Sequence, residues 1–262
     1  MKVIILLNEK GGVGRSTVSL HLAAGLAIKG HRVLFVDADP QGNGGYALGL
    51  PKETMLYNLL VRGAEWKDVV ARVSPEVYGS TGHLYAVTSN VETRNIANTI
   101  GDQLRFAKRV RQLKGAFDYV IVDTSPTPSL LHASMTAASD YVLMPTQVEA
   151  YSALEGLPDT WGHSDQVREA AAEHGLEVAQ VSGIIPTMVR AQINSHRAVL
   201  DYLRQEYGDL VWTPQRHSAI YGEAALNRML LFAYRPKHPA TKDLWAIINQ
   251  VEALHEPATQ KS

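Results

Sequence analysis

The chain has 262 residues, 45% of them hydrophobic and 19% charged, the balance of a globular protein with material for one large core. Its net charge of −1 excludes a global field that draws it to nucleic acid, so any such contact must be a local patch. The absence of cysteine excludes disulfides, thiolate metal sites and iron–sulfur clusters, and no apolar run approaches the roughly 18 residues of a membrane span.

The first predicted element is the apolar run Val3-Ile4-Ile5-Leu6-Leu7, which reads as a buried parallel strand. It is too short for a signal peptide, so a cytoplasmic protein is expected. It delivers Asn8-Glu9-Lys10-Gly11-Gly12-Val13-Gly14-Arg15-Ser16-Thr17, and a helical pattern follows from Ser16 to about Lys29, with Gly30 placed to end it. Strand, glycine-rich loop and helix together cradle phosphates. The glycines let backbone N–H groups close on the oxygens, and the helix N-terminus adds partial positive charge. Gly11, Gly12, Val13, Gly14, Arg15, Ser16 and Thr17 are therefore the candidate nucleotide-binding residues, with the Ser16 hydroxyl placed to ligate Mg²⁺. The ordinary pattern G-x-x-x-x-G-K-[ST] fails twice, at Glu9 and at Arg15. The variant K-G-G-x-x-K-[ST] fits at every place except the second lysine, which is Arg15.

Residues 32–37 form a second predicted strand, ending in Asp37-Ala38-Asp39-Pro40-Gln41-Gly42-Asn43 at the edge where α/β ligand sites lie. Residues 58–60 and 66–73 read as short helices joined through Gly63, and residues 84–87 as a short strand. Residues 96–114 read as one helix whose later part carries Arg105, Lys108, Arg109, Arg111 and Lys114 without an acid, either a solvated face or a DNA-backbone contact. Phe117-Asp118-Tyr119-Val120-Ile121-Val122-Asp123 is an apolar strand ending in a carboxylate, and Asp123 is placed to hold Mg²⁺, largely through bound water. Another strand precedes Pro145-Thr146-Gln147, and a helix starting near Glu149 is expected to run to His174, with Gly175 as its stop. A strand over 178–185 leads to Pro186-Thr187-Met188, and a helix over 193–207 follows. Arg197 and Arg204 share a face of that helix, seven residues apart, with Arg190 just ahead of it. Residues 242–254 form a final helix, and residues 256–262 a polar tail.

The loop at 8–17, the segment D-x-D-P-Q-G-N at 37–43, the Asp123 strand with its following prolines, and Pro145-x-Gln147-x-Glu149 with Gly156 stand in the order of the ParA/MinD family of deviant P-loop ATPases, and the chain resembles its partition members over almost its whole length. The resemblance implies an α/β fold, a mainly parallel sheet with helices on both faces, in one domain over residues 1–262. It implies ATP and Mg²⁺ as ligands and a homodimer that sandwiches two nucleotides, with Lys10 of each subunit on the other's phosphates. By the same resemblance, Asp39 is expected to orient the hydrolytic water and Asp37 to support the magnesium network, and adenine contacts are expected at Pro186 and Met188. The resemblance also implies a nonspecific DNA grip on basic residues of the C-terminal region, here Arg190, Arg197, Arg204 and Arg216, and a ParB-like or other cargo adaptor that stimulates hydrolysis. The family's amphipathic membrane helix has no counterpart in the polar tail, and no DNA-reading module precedes the loop, so neither membrane attachment nor operon repression is expected. Two readings remain beside this one: a nucleotide-gated binding protein with little or no hydrolysis, motivated by Arg15, and a metabolic relative such as an ATP-dependent synthetase or anion-pump ATPase, against which D-P-Q-G-N and the helix start from Glu149 to Gly156 speak.

Overall fold

The computed structural model describes residues 1–102, 104–149, 152–173 and 179–254. The expected helix stop at Gly175, the strand start at Val178, residues 150–151 of the helix start and the polar tail lie outside them. The described strands are β1 (Lys2–Leu6), β2 (Arg32–Ala38), β3 (Ala71–Arg72), β4 (His83–Val87), β5 (Tyr119–Thr124), β6 (Tyr141–Gln147) and β7 (Val181–Thr187). They form one sheet in the order β3-β4-β2-β5-β1-β6-β7, parallel throughout except for β3, which runs antiparallel to β4 at the edge.

The described helices are α1 (Arg15–Ile28), α2 (Asn43–Ala47), α3 (Met55–Leu60), α4 (Trp66–Val69), α5 (Pro75–Tyr78), α6 (Thr93–Thr99), α7 (Arg105–Arg111) and α8 (Leu130–Thr136). They continue with α9 (Leu157–Ala172), α10 (Asn194–Tyr207), α11 (Ile220–Leu226), α12 (Leu231–Tyr234) and α13 (Pro239–Ala253). The alternation of strand side chains explains the two covered faces. Ile4, Leu6, Phe35 and Ile121 point into a core with α1, α11, α12 and α13. Val3, Ile5, Val36 and Val122 point into the opposite core with α3, α7, α8 and α9. Burial on both faces is why these strands read as unbroken apolar runs.

The structure corrects three expectations. Residues 96–114 are not one helix: α6 ends at Thr99, and Asp102 starts α7 afresh, its carboxylate accepting from Leu104 N at 3.0 Å and its carbonyl from Arg105 N. The basic face of α7 is partly spent inside the molecule, with Lys108 on Asp102 at 2.7 Å and the Arg109 guanidinium donating to the Ala64 carbonyl over the Trp66 ring. The helix expected over 66–73 is the four-residue α4 followed by the edge strand β3. The chain before α9 is a π-helical turn, Ser152–Gly156.

The sheet order decides where a ligand can sit. The chain leaves β1 for β2 on one side, across β5, and β6 lies on the other side, so the C-terminal end of β1 is a topological switch point. The loop at 8–17 starts there.

Candidate nucleotide site

The loop between β1 and α1 is held open by its backbone conformation. Gly12 and Gly14 take left-handed φ values of 77° and 85°, which a side chain disfavours. Gly11 and Gly12 face open space. The base of the loop is tied on several sides. Asn8 Nδ2 donates to Pro145 O at 2.8 Å, Asn8 Oδ1 accepts from Lys10 N at 2.9 Å, and Thr187 Oγ1 donates to Val13 O at 2.6 Å. Thr160 of α9 accepts from Glu9 N at 3.1 Å and donates to Gly156 O at 2.8 Å, while His163 meets the Glu9 carboxylate at 2.5 Å. A Cβ on Gly156 would lie 3.8 Å from the Cβ of Lys10. Gly156 and the first turns of α9 thus lie against residues 9 and 10.

Two strand ends bring carboxylates together. Asp37 and Asp123 are direct neighbours in the β2–β5 register, and both are fully buried. Asp37 is anchored to backbone, Oδ1 accepting from Asp39 N at 3.1 Å and Oδ2 from Gly45 N at 2.8 Å. Neither oxygen of Asp123 has a hydrogen-bond partner among the described residues. A buried carboxylate with two idle oxygens beside a loop serine is the donor set that a hard cation completes. Among the described residues no group of three or more His, Cys, Asp or Glu could hold a metal ion. Mg²⁺ with a bound nucleotide fits Ser16 and Asp123.

Burial pushes the Asp37 carboxyl up to about 7, and the Asp123 charge adds to the rise. Burial pushes Asp123 up to about 6, against the pull of the Arg15 guanidinium and the nearby Ser16 and Ser19 hydroxyls. A pKa raised on folding means that the folded protein binds more protons than the unfolded chain. Stability from these groups is thus full below the ordinary carboxylate pKa and is lost as pH rises through their folded values. Asp123→Asn is expected to flatten the fall in melting temperature between about pH 5 and about pH 8, measured without Mg²⁺ or nucleotide. A slope as steep as that of the natural protein would place the titration elsewhere.

Arg15 does not point away from this cluster. It is 6% exposed, its Nε donates to Thr124 O at 2.6 Å, and its Nη1 donates to Asn8 O. Its Nε lies 4.0 Å from Asp123 Oδ1. The guanidinium thus braces the ends of β1 and β5 and serves as the counter-ion of Asp123. Asp39 stands in front of it. One Asp39 oxygen accepts from Gln41 N at 2.8 Å, and its carbonyl accepts from Ser89 Oγ at 2.6 Å.

The loop and Asp39 open into one cavity of about 780 Å³, walled by residues 11–17, Asp39, Ser125, His132 and Met188, with Asp37 and Asp123 buried behind that wall. Met188 holds a left-handed φ of 56° at the mouth. Pro186 is not part of the cavity wall; it lies within β7, where its carbonyl accepts from Gln215 N at 2.8 Å. A second cavity of about 710 Å³ between α8 and α9 shares Ser125, Pro126, Ser129 and His132 with the first. His132 Nε2 meets Ser125 O at 2.9 Å and Nδ1 meets Ser129 Oγ at 2.8 Å. Burial lowers its pKa, with Arg15 adding to the effect, and the ring staples the loop after Asp123. Sequence reading missed His132, Thr160 and, at the far wall, Thr93 and Arg94. The signal available for the last two was their place just past β4, at the same sheet edge as Asp39.

The basic C-terminal residues lie apart from the cavity. Arg190 and Arg216 come together through the Val189–Arg216 bridge, and Arg190 Nη2 meets His217 Nε2 at 3.1 Å. Arg216 is gripped twice by Asp243, at 2.6 and 2.8 Å. Arg197 donates to Asn194 at 2.6 Å, and Arg204 lies 3.8 Å from Asp201 on the exposed side of α10. Among the described residues no helix is long and apolar enough to cross a membrane.

Residues 1–178 match the family model described as an AAA domain. The chain is 32% identical to the sporulation initiation inhibitor protein Soj of Bacillus subtilis over 218 residues, 80% of this chain and 82% of that protein. It is 30% identical to the chromosome partitioning protein ParA of Caulobacter vibrioides over 221 residues, 81% of this chain and 79% of that one. The fold is similar to that of apo McdA from Cyanothece, with a TM-score of 0.80 at 20% identity over 96% of this chain and 99% of that one.

Proposed function

The chain belongs to the ParA/MinD family of P-loop ATPases, and from that premise we propose that it is a partition or positioning ATPase, acting on a plasmid, a chromosome or another large cargo. The observation that carries the reading is Asp123, buried with two unpartnered oxygens behind a phosphate-cradling loop. Arg15 balances part of its charge, and a cation arriving with phosphates would complete its coordination.

In this reading the backbone N–H groups of residues 11–17 hold the phosphates of ATP, and Ser16 and Asp123 hold Mg²⁺, with Asp37 fixing the first switch behind them. The cation neutralises charge on the β- and γ-phosphate oxygens. Asp39 accepts a hydrogen bond from the water that attacks the γ-phosphorus, the bond to the β-γ bridging oxygen breaks, and ADP and phosphate leave. Lys10, whose Cβ lies beside Gly156, reaches the nucleotide of a second subunit in this reading, and the ATP state is a homodimer. A cation supplied in trans is worth about 10³–10⁵ in rate. The dimer holds nonspecific DNA on the Arg190, Arg197 and Arg204 side, which places the protein on the nucleoid, and a ParB-like or other adaptor on the cargo triggers hydrolysis. Arg216 contributes less, because Asp243 neutralises it. Met188, at the cavity mouth, is the better adenine contact of the two residues named for that role.

The test is binding of random-sequence DNA with ATP, with ADP and without nucleotide, at low and moderate salt. Binding with ATP alone that weakens with salt is the expected result. A second reading is favoured by the inward set of Arg15: a nucleotide-gated binding protein with little hydrolysis. It predicts ATP-dependent association without ADP formation even when DNA and the adaptor are present. DNA binding in none of the three conditions would overturn the DNA-riding reading.

A further inference from the structure

We propose that Arg94 is a second phosphate-gripping cation of this site, supplied by α6 of the same chain and reading the terminal phosphate of ATP. The proposal rests on the ATP reading above.

The cavity has two cationic side chains of the lysine or arginine type on its wall among the described residues, Arg15 and Arg94. Arg15 spends Nε and Nη1 on the carbonyls of Thr124 and Asn8 and lies beside Asp123. Much of its charge is therefore already balanced before a nucleotide enters. The guanidinium of Arg94 has no hydrogen bond and no ion pair among the described residues, and its side chain is exposed into the cavity mouth. An exposed arginine on an open surface carries no such meaning. Here it faces a cleft that already holds Asp39 and a phosphate loop.

Its neighbour provides an independent sign of a ligand. Thr93 is 2% exposed, lies on the same wall, and its hydroxyl has no hydrogen-bond partner among the described residues. A buried hydroxyl left without a partner costs about 1–3 kcal/mol, so its natural complement is a polar atom arriving in the cavity. A phosphate oxygen, or a water carried on one, serves both the hydroxyl and the guanidinium.

Topology decides which phosphate. The loop at 11–17 follows β1, and Met188 follows β7 on one side of it. Asp39 follows β2 on the other side, and Thr93 and Arg94 follow β4, one strand further out. A nucleotide with its base towards Met188 and its β-phosphate in the loop therefore points its γ-phosphate at Asp39 and Arg94. The planar guanidinium fork matches two phosphate oxygens at once, a geometry that lysine lacks. Arg94 then separates ATP from ADP, supplying in cis the charge that Arg15 has turned inward.

The test measures affinity for a non-hydrolysable ATP analogue and for ADP, each with Mg²⁺, in the natural protein and in Arg94→Ala, Arg94→Lys and Thr93→Val. One charge-assisted contact to the terminal phosphate predicts a loss of about tenfold or more in analogue affinity for Arg94→Ala, with ADP affinity within about twofold of the natural value. Arg94→Lys recovers part of the loss, and Thr93→Val loses a few-fold on the analogue alone. Because the readout is binding, it holds whether turnover is fast or absent. Equal losses for both nucleotides, or no loss for either, would overturn the assignment while leaving the ATPase reading intact. A natural protein that binds neither nucleotide would overturn both.

Discussion

Asp39→Asn is expected to lower ATP turnover by about 10²–10⁴-fold while leaving ATP affinity within a few-fold, the loss typical of removing a positioned proton acceptor. The structure makes this substitution clean. The first switch is held by its backbone: Asp39 O accepts from Ser89 Oγ and from Gly42 N, and Asp39 N donates to Asp37. The single hydrogen bond of the Asp39 side chain among the described residues, from Gln41 N at 2.8 Å, runs to an oxygen that asparagine also has. What the variant loses is the negative charge and the capacity to take a proton from water. The other two carboxylates do not compete for the role. Asp37 spends both oxygens on backbone N–H groups, and Asp123 sits behind the loop, beside Arg15. Phosphate release and ATP affinity, measured separately, decide the matter; turnover within threefold of the natural rate would remove Asp39 from the chemistry.

The parts of this site that could be read from sequence are those made by one strand and the loop it feeds. β1, β2 and β5 are buried on both faces, so each reads as an apolar run, and each ends in residues of the proposed nucleotide site. The parts that could not be read are contacts between distant segments. Nothing near Arg216 in the chain announces Asp243 of α13, which neutralises it. Sevenfold spacing places Arg197 and Arg204 on one face of α10 but says nothing of Asn194 and Asp201 beside them. The basic run at 105–114 read as a solvated face or a DNA-backbone contact, and neither the break after Thr99 nor the Trp66 ring under Arg109 shows in the residue order. The pattern ending at Gly156 carried no purpose readable from residue types, because Gly156 and Thr160 meet Lys10 and Glu9, about 150 positions earlier in the chain but adjacent in space.

Arg15 separates the two functional readings, and two substitutions there pull in opposite directions. Arg15→Ala removes the counter-ion from a fully buried Asp123 and frees the carbonyls of Asn8 and Thr124. Breaking one side of a buried pair costs about 3–5 kcal/mol, so a marked fall in melting temperature is expected at neutral pH. Asp123 titrates at about 6 even with Arg15 present, so acid relieves the cost by protonating it, and the deficit shrinks below that pH. Arg15→Lys keeps a charge but cannot keep the brace. A lysine ammonium is a compact point with rotatable donors, whereas the guanidinium is a rigid plane already docked on two carbonyls. The ammonium can give up one of them and turn to the incoming phosphates. If the inward set of Arg15 is what limits the chemistry, the lysine variant hydrolyses ATP about tenfold faster or more, the value of one added charge-assisted hydrogen bond in the transition state. Faster turnover by the natural protein than by the lysine variant would overturn that account. Such a result would mean that the fork reaches the phosphates while still braced on β1 and β5, and that the chain has made arginine the working cation of its loop.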